Sequence, residues 1–443
     1  MTYPGTRAPR LRVVAIADAD SFVKWSAALI DQVPDISRHL LLVRTPLTVS
    51  EGQKDAALAG TGIAEDPASV TRLPFAEVTG WLGRDRPDVV VLAGRAPFVR
   101  LLGREIDRLA RRPVVVSGMP GMSIPALRGA LEYRRHCDLM VVHSRREVAA
   151  YSRLGRQIGV HVPIALATLP FARAARDADA GQRTDLVFAA QALVPGTREE
   201  RQRIAEILRF AAVADPRRRV VIKLRSRPGE VEAHAERDGY ADLLENAPEN
   251  LVLSYAPMSQ ALATAEGLVT VSSTAAIEAM AQGVPVIALD TFGVRSDLLN
   301  PVFEDSGVLA GADDVIARRF RHPDPRWAAA NYFHDPREST WWEQVQQLVA
   351  LRRRGMLPPR TVPRPRGGAL HLAWHRKSVL GSEDRTLSGV LAYAVGAPAA
   401  RLMLAIKRRR RADAAGAGTD FTLAPSPLAE PLRRRSPAAA VIR

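Results

Sequence analysis

Between residues 11 and 300 the chain repeats one pattern: a short run of apolar, mostly β-branched residues, then a stretch of helical periodicity. The first such runs are Leu11-Arg12-Val13-Val14-Ala15-Ile16-Ala17, Asp88-Val89-Val90-Val91-Leu92-Ala93, Pro113-Val114-Val115-Val116-Ser117 and Leu139-Met140-Val141-Val142, with a further strand expected at 39–44. No polar residue alternates within their apolar stretches. Each therefore reads as a strand buried on both faces, which happens when helices cover both sides of a parallel sheet. A break follows from Pro163 to Gln182. The pattern then restarts at Leu186-Val187-Phe188-Ala189-Ala190, Arg219-Val220-Val221-Ile222-Lys223-Leu224, Leu251-Val252-Leu253, Gly267-Leu268-Val269-Thr270-Val271 and Val284-Pro285-Val286-Ile287-Ala288-Leu289. Two blocks of strand–helix alternation predict an α/β chain of two Rossmann-like, doubly wound parallel-sheet domains facing a cleft. The expected bounds are 1–165 and 185–355, with 166–184 as linker and 356–443 as a basic, partly disordered tail.

Charge sharpens this division. The 443 residues carry a net charge of +15, which suggests nucleic-acid binding until it is mapped. Residues 351–443 hold 19 Lys and Arg against 5 Asp and Glu, a balance of +14, which leaves +1 for residues 1–350. A nearly neutral body disfavours a duplex-binding domain, whose basic face would lie on the fold itself. Within the tail, Leu387–Ile406 is apolar apart from Arg401 and a few small polar residues, and it runs into Lys407-Arg408-Arg409-Arg410-Arg411. This segment fits a helix lying on an anionic membrane face, or a basic tail without a partner; few aromatics accompany it for base stacking. The single Cys137 excludes a disulfide framework or a Cys-rich zinc site, and no signal peptide is visible. A cytoplasmic location, peripheral at the inner membrane face through the tail, is the expectation.

The most informative stretch for chemistry is the junction Thr270-Val271-Ser272-Ser273-Thr274-Ala275-Ala276-Ile277-Glu278. A strand ends in three hydroxyl residues where a helix begins. The hydroxyls either cap the helix or, with its first N–H groups, hold a phosphate; the spacing leaves both open. Glu278 is placed to bond a ribose hydroxyl or to favour the helix dipole. In the first block, the strand ending at Ala17 leads into Asp18 and Asp20. The strand ending at Ser117 leads into Gly118-Met119-Pro120-Gly121, whose glycines permit close backbone approach, and the strand ending at Val142 leads into His143.

The pattern Ser272-Ser273-Thr274-x-x-x-Glu278-Ala279-x-x-x-Gly283-x-Pro285-Val286-Ile287 resembles the donor-side segment of GT-B glycosyltransferases, notably bacterial capsule, sialyl- and Kdo-type transferases and their glycerophosphotransferase relatives. The run Ala17-Asp18-Ala19-Asp20-Ser21-Phe22-Val23-Lys24-Trp25 is similar to the start of an actinobacterial group of glycosyltransferase-like chains. The likeness covers roughly 11–350. It implies transfer of a sugar from a nucleotide-activated donor to a hydroxyl of a glycan or lipid-linked acceptor, in cell-envelope or surface-polysaccharide synthesis. Ser272, Ser273, Thr274 and Glu278 would bind the donor. Those families carry a Lys-x-His-Pro-like motif, matched here by Lys223 through Pro228 without the His, so the nucleotide stays open. Lys223, Arg225 and Arg227 would neutralise the diphosphate leaving group. Asp20, ahead of Asp18, would be the base, since two neighbouring carboxylates raise one pKa. Gly118, Gly121 and His143 would face the acceptor. No Asp-x-Asp motif follows a strand of the second block, so no metal and no cofactor is expected. A nucleotide-sugar 2-epimerase of the same architecture, or a non-catalytic scaffold recruited by its tail, are the alternative readings.

Overall fold

A computed structural model describes residues 10–47, 49–173, 183–224, 238–244, 246–360, 362 and 368–396. The first sheet contains β1 (Leu11–Ala17), β2 (Ile36–Arg44), β3 (Val70–Pro74), β4 (Val89–Ala93), β5 (Val114–Gly118), β6 (Leu139–Val142) and β7 (Ile164–Leu166). The second contains β8 (Asp185–Ala189), β9 (Val220–Lys223), β10 (Leu251–Ser254), β11 (Ala265–Thr270), β12 (Val286–Leu289) and β13 (Leu309–Ala310). Their orders are β3-β2-β1-β4-β5-β6-β7 and β10-β9-β8-β11-β12-β13, and neighbouring strands pair in parallel. The chain is thus two doubly wound α/β lobes, the GT-B architecture. The order reverses between β1 and β4 in the first lobe and between β8 and β11 in the second. Those two switch points are where such sheets open a crevice at their carboxyl ends.

The apolar runs behave as parallel strands must. Val13, Ala15 and Ala17 of β1 face one core, and Val14 and Ile16 face the other; all five are fully buried. At about 1.5–3 kcal/mol for each fully buried Val or Ile, this two-sided burial holds the element in the sheet centre. The helix Asp20–Asp31 lays Phe22, Val23, Trp25, Leu29 and Ile30 on the first of these cores. Arg38 closes its far end by donating to the Ile30 carbonyl at 3.1 Å.

Two expectations about boundaries need correction. The helix Trp341–Arg353, expected with the second lobe, returns to the first. Trp341, Val345 and Val349, spaced one turn apart, enter the core beneath β1 and β5. Its last turn is fixed there by Arg352, which donates to the Arg112 carbonyl at 2.7 Å and pairs with Asp88. The segment beyond it also folds onto the first lobe as far as it is described. Arg360 lies between Asp107 and Asp138, and the helix Gly368–Leu380 seats Val379 and Leu380 against Phe98 and Cys137. A further helix spans 387–396. The expected helix through 406 and the rest of the tail lie outside the described residues.

Candidate functional site

Asp18 follows β1, Thr45 follows β2, and Gly94-Arg95 follow β4, so the three stand together at the first lobe's switch point. Asp18 is 2% exposed, and neither carboxylate oxygen has a hydrogen-bond partner of normal geometry. Burial lifts its pKa from 3.8 to about 6, against the opposing positive charge of Arg95 and the nearby Thr45 hydroxyl. Gly94 is required here: a Cβ would stand 2.4 Å from the Phe98 ring and 3.1 Å from Asp18 Oδ1. The raised pKa comes from burial rather than from a second carboxylate, and Asp18 is sealed where an open base was expected. Asp20, half-buried in the first turn of its helix, is the carboxylate nearer solvent.

Two acceptor-side expectations are overturned. His143 is fully buried, accepts from Trp25 Nε1–H at 2.8 Å and donates from Nδ1 to the Ala167 carbonyl at 3.0 Å. Burial lowers its pKa to about 4, so it is a neutral interior group that orients Trp25 rather than a base. Gly118 has no room for a ligand, because a Cβ there would meet Trp25 Cζ2 at 2.6 Å. Gly121 is different. A Cβ there would stand 2.2 Å from Thr274 Oγ1, so this glycine lets the loop after β5 touch the second lobe.

The second lobe's switch point is built around Gln191, which follows the strand β8. Its Oε1 accepts from Ser272 N–H at 2.9 Å and its Nε2 donates to Ser272 Oγ at 3.3 Å, joining the ends of β8 and β11. Arg201 holds the loop carrying Gln191. Its Nη2 donates to the Gln191 and Ala192 carbonyls at 2.6 and 2.7 Å, and its Nε to the Pro195 carbonyl at 3.1 Å. Ser272 is buried, while Ser273 and Thr274 are half-buried. Ser273 Oγ accepts from Ala275 N–H at 3.2 Å, and Ser273 N–H donates to Thr270 Oγ1 at 3.2 Å. Of the three hydroxyls only that of Ser273 accepts from the helix's first N–H; Ser272 Oγ is taken by Gln191, and the N-cap residue Thr274 makes no side-chain cap bond. Lys223, at the end of β9, is buried with Nζ on the Leu224 carbonyl. Arg225 and Arg227 lie outside the described residues.

The two rims meet. Met122 N–H donates to Thr274 Oγ1 at 3.4 Å, and Lys24 Nζ binds Glu278 Oε1 at 3.0 Å. Glu278, expected to meet a ribose, is thus paired across the gap with a residue of the first lobe. Beside this contact lies a group that sequence reading missed. Glu147 is fully buried and accepts from Ser123 N–H at 2.7 Å, His143 N–H at 2.8 Å and Tyr332 O–H at 2.7 Å. Burial raises its pKa and drives that of Tyr332 well above 10. The signal was present, because Ser144-x-x-Glu147 has capping-box spacing and Ser144 Oγ does accept from Glu147 N–H at 3.0 Å. Arg146 donates to the Val302 and Pro301 carbonyls at 3.3 and 3.2 Å and pairs with Glu304 at 3.2 Å, so the start of the helix Arg145–Ile158 fastens the lobes together. Among the described residues, no group of three or more His, Cys, Asp or Glu side chains is arranged to hold a metal ion.

The family model described as "Putative glycosyltransferase (DUF6716)" matches residues 13–348. Among solved structures, the S. aureus MnaA–UDP co-structure is 12% identical with a TM-score of 0.54, covering 80% of this chain and 100% of its own. A structure titled as a putative UDP-N-acetylglucosamine 2-epimerase from Listeria monocytogenes is 14% identical with a TM-score of 0.52, again covering 80% of this chain and 100% of its own. At identities this low the likeness shows the fold alone. No curated protein matches the sequence.

Proposed function

The chain belongs to that glycosyltransferase family, and from this premise we propose that it moves a sugar from a nucleotide-activated donor on the second lobe to a hydroxyl acceptor on the first. The observation that carries the reading is the meeting of the two switch-point rims, at Gly121 and Met122 against Thr274 and at Lys24 against Glu278. A donor bound in one crevice would lie against an acceptor bound in the other. Opening of the lobes would release Thr274 and Glu278 from their partners across the gap to take up the donor. Reclosure would then exclude water and limit donor hydrolysis.

In the transfer, Asp20 removes the acceptor proton as the hydroxyl oxygen bonds to the anomeric carbon. The sugar–phosphate bond breaks with its electron pair leaving on the nucleotide. Lys223, Arg225 and Arg227, with the Ser273 and Thr274 hydroxyls, stabilise that leaving anion where a divalent ion would otherwise serve. The likeness to capsule-type transferases supports a role in cell-envelope or surface-polysaccharide assembly, with a glycan or lipid-linked acceptor.

A thermal-shift series with UDP, GDP, CMP, CDP and TDP tests the donor site. UDP is the first probe because the MnaA structure contains it. A nucleotide at one hundred times its Kd stabilises the folded protein by about 2.7 kcal/mol. Loss of that stabilisation in a Ser273→Ala/Glu278→Ala variant is the expected result. A folded protein stabilised by no nucleotide or nucleotide-sugar overturns the reading. Conversion of a donor to its isomer with no acceptor present would replace transfer by epimerisation.

A further inference from the structure

The segment after the helix Gly368–Leu380 turns at the first lobe's rim. Gly381, in the left-handed region at φ +56°, seats on Pro46, where a Cβ would stand 2.6 Å from Cγ. Glu383 pairs with Arg44, the last residue of β2, at 3.7 Å. Thr45, which neighbours Asp18, comes next in the chain. The helix 387–396 is then set by a compact cap. Asp384 accepts from Thr386 N–H at 3.1 Å, and Thr386 Oγ1 accepts from Gly389 N–H at 3.2 Å.

Two glycines fix which way this helix faces. A Cβ at Gly389 would stand 2.4 Å from Asp384 Oδ2, and one at Gly396 would stand 2.6 Å from the Trp374 ring. Only the small side can therefore pack inward, and Ala392 on that side is 1% exposed. The large apolar residues must face out: Leu387 is 81% exposed, Leu391 67% and Val395 68%, one turn apart on a single stripe. A helix that spends its glycines on the protein and turns its leucines to solvent has the reverse of the usual pattern for a surface helix. From 387 to 411 the sequence holds no Asp or Glu and six Lys and Arg, all of them at 401–411, just beyond the described residues. An apolar stripe with cations and no acid is complementary to one kind of surface, acyl chains beneath anionic headgroups. No helix among the described residues is long and apolar enough to cross a membrane, so the mode is lateral docking.

We propose that the face formed by Leu387, Leu391 and Val395 docks the first lobe on an anionic lipid bilayer, turning its acceptor rim toward the membrane. The acceptor would then be a lipid-borne hydroxyl; that clause rests on the transferase reading, whereas the docking does not.

Cys137 is buried, so in the full-length protein a Leu391→Cys substitution can be labelled selectively with an environment-sensitive fluorophore. The label should shift to the blue on phosphatidylcholine vesicles containing phosphatidylglycerol. A control label at Arg217→Cys, on an almost fully exposed side chain of the second lobe, should not. Co-flotation should weaken about tenfold or more on phosphatidylcholine alone, and likewise for Leu387→Glu/Leu391→Glu/Val395→Glu at unchanged melting temperature. Unchanged flotation of the triple variant overturns the proposal. So does a label already shielded without vesicles, whether by the chain's own residues 397–443 or, when shielding grows with protein concentration, by a second copy. The nucleotide thermal shift, measured without vesicles, should be the same in the triple variant and the parent. Its absence from both would sink the transferase reading alone and leave docking standing.

Discussion

Replacing Asp18 by Asn exchanges a buried carboxylate, whose desolvation Arg95 and Thr45 offset only in part, for a neutral group of the same shape. The difference between 3.8 and about 6, at about 1.4 kcal/mol for each tenfold change in proton affinity, amounts to about 3 kcal/mol. The folded protein holds this proton more tightly than the unfolded chain does. Below about pH 4 both forms are protonated and the full benefit of the raised pKa is present. Between about pH 4 and 6 the unfolded chain ionises first, and stability drains away as pH rises; above about 6 none of the benefit remains. Asp18→Asn does not titrate. It should be more stable than the parent by up to about 3 kcal/mol at pH 7.5 and lose that advantage near pH 4. For a lobe of this size the gain corresponds to roughly 6–12 °C in melting temperature. Urea unfolding of both proteins from pH 4 to 8 measures the crossing. A pH-independent difference, or an Asn variant weaker at pH 7.5, would refute the claim that this carboxylate is buried without adequate partners. A carboxylate kept at such a cost beside a crevice is expected to serve function, so turnover of the donor should fall as stability rises.

Gly121→Val must force the rims apart, because even its first carbon overlaps Thr274 Oγ1. Small-angle scattering should show a larger radius of gyration at unchanged far-UV dichroism, and sugar transfer should fall. Glu147→Ala strips the acceptor from Ser123 N–H, His143 N–H and Tyr332 O–H, and should cost about 3–5 kcal/mol in urea unfolding. Tyr332→Phe should cost about 1–3 kcal/mol and add little on top of Glu147→Ala, since both delete the same contact. Lys24→Ala leaves stability within about 1 kcal/mol, because Lys24 is partly exposed, so any larger change in donor affinity by titration calorimetry reports on Glu278. The Cys137 thiol, pushed up to about 12 by burial, should not react with a disulfide reagent until the protein is unfolded.

Local patterning carried much of this protein. Unbroken β-branched runs gave the type and the parallel pairing of the central strands, because burial on both faces leaves no room for alternation. The edge strands β3, β7 and β13 escaped notice because they are short or flanked by polar residues and lack that run. Strand ends followed by Asp18 and by Ser272–Thr274 marked both switch-point rims, since a strand's carboxyl end is fixed by the chain's own direction. What a group does once it arrives was not written locally. Asp18, His143 and Glu278 have similar sequence surroundings, each at or just after a strand-to-helix junction. One is sealed beside Arg95 and Thr45, one is locked by Trp25, and one meets Lys24 across 254 positions of chain. Trp341, Val345 and Val349 announce an amphipathic helix but not which core receives it. Periodicity records that a face must leave water. Only the packed fold decides what covers it, because burial, and hence every pKa and partner in the cleft, is set by atoms that the chain brings from elsewhere.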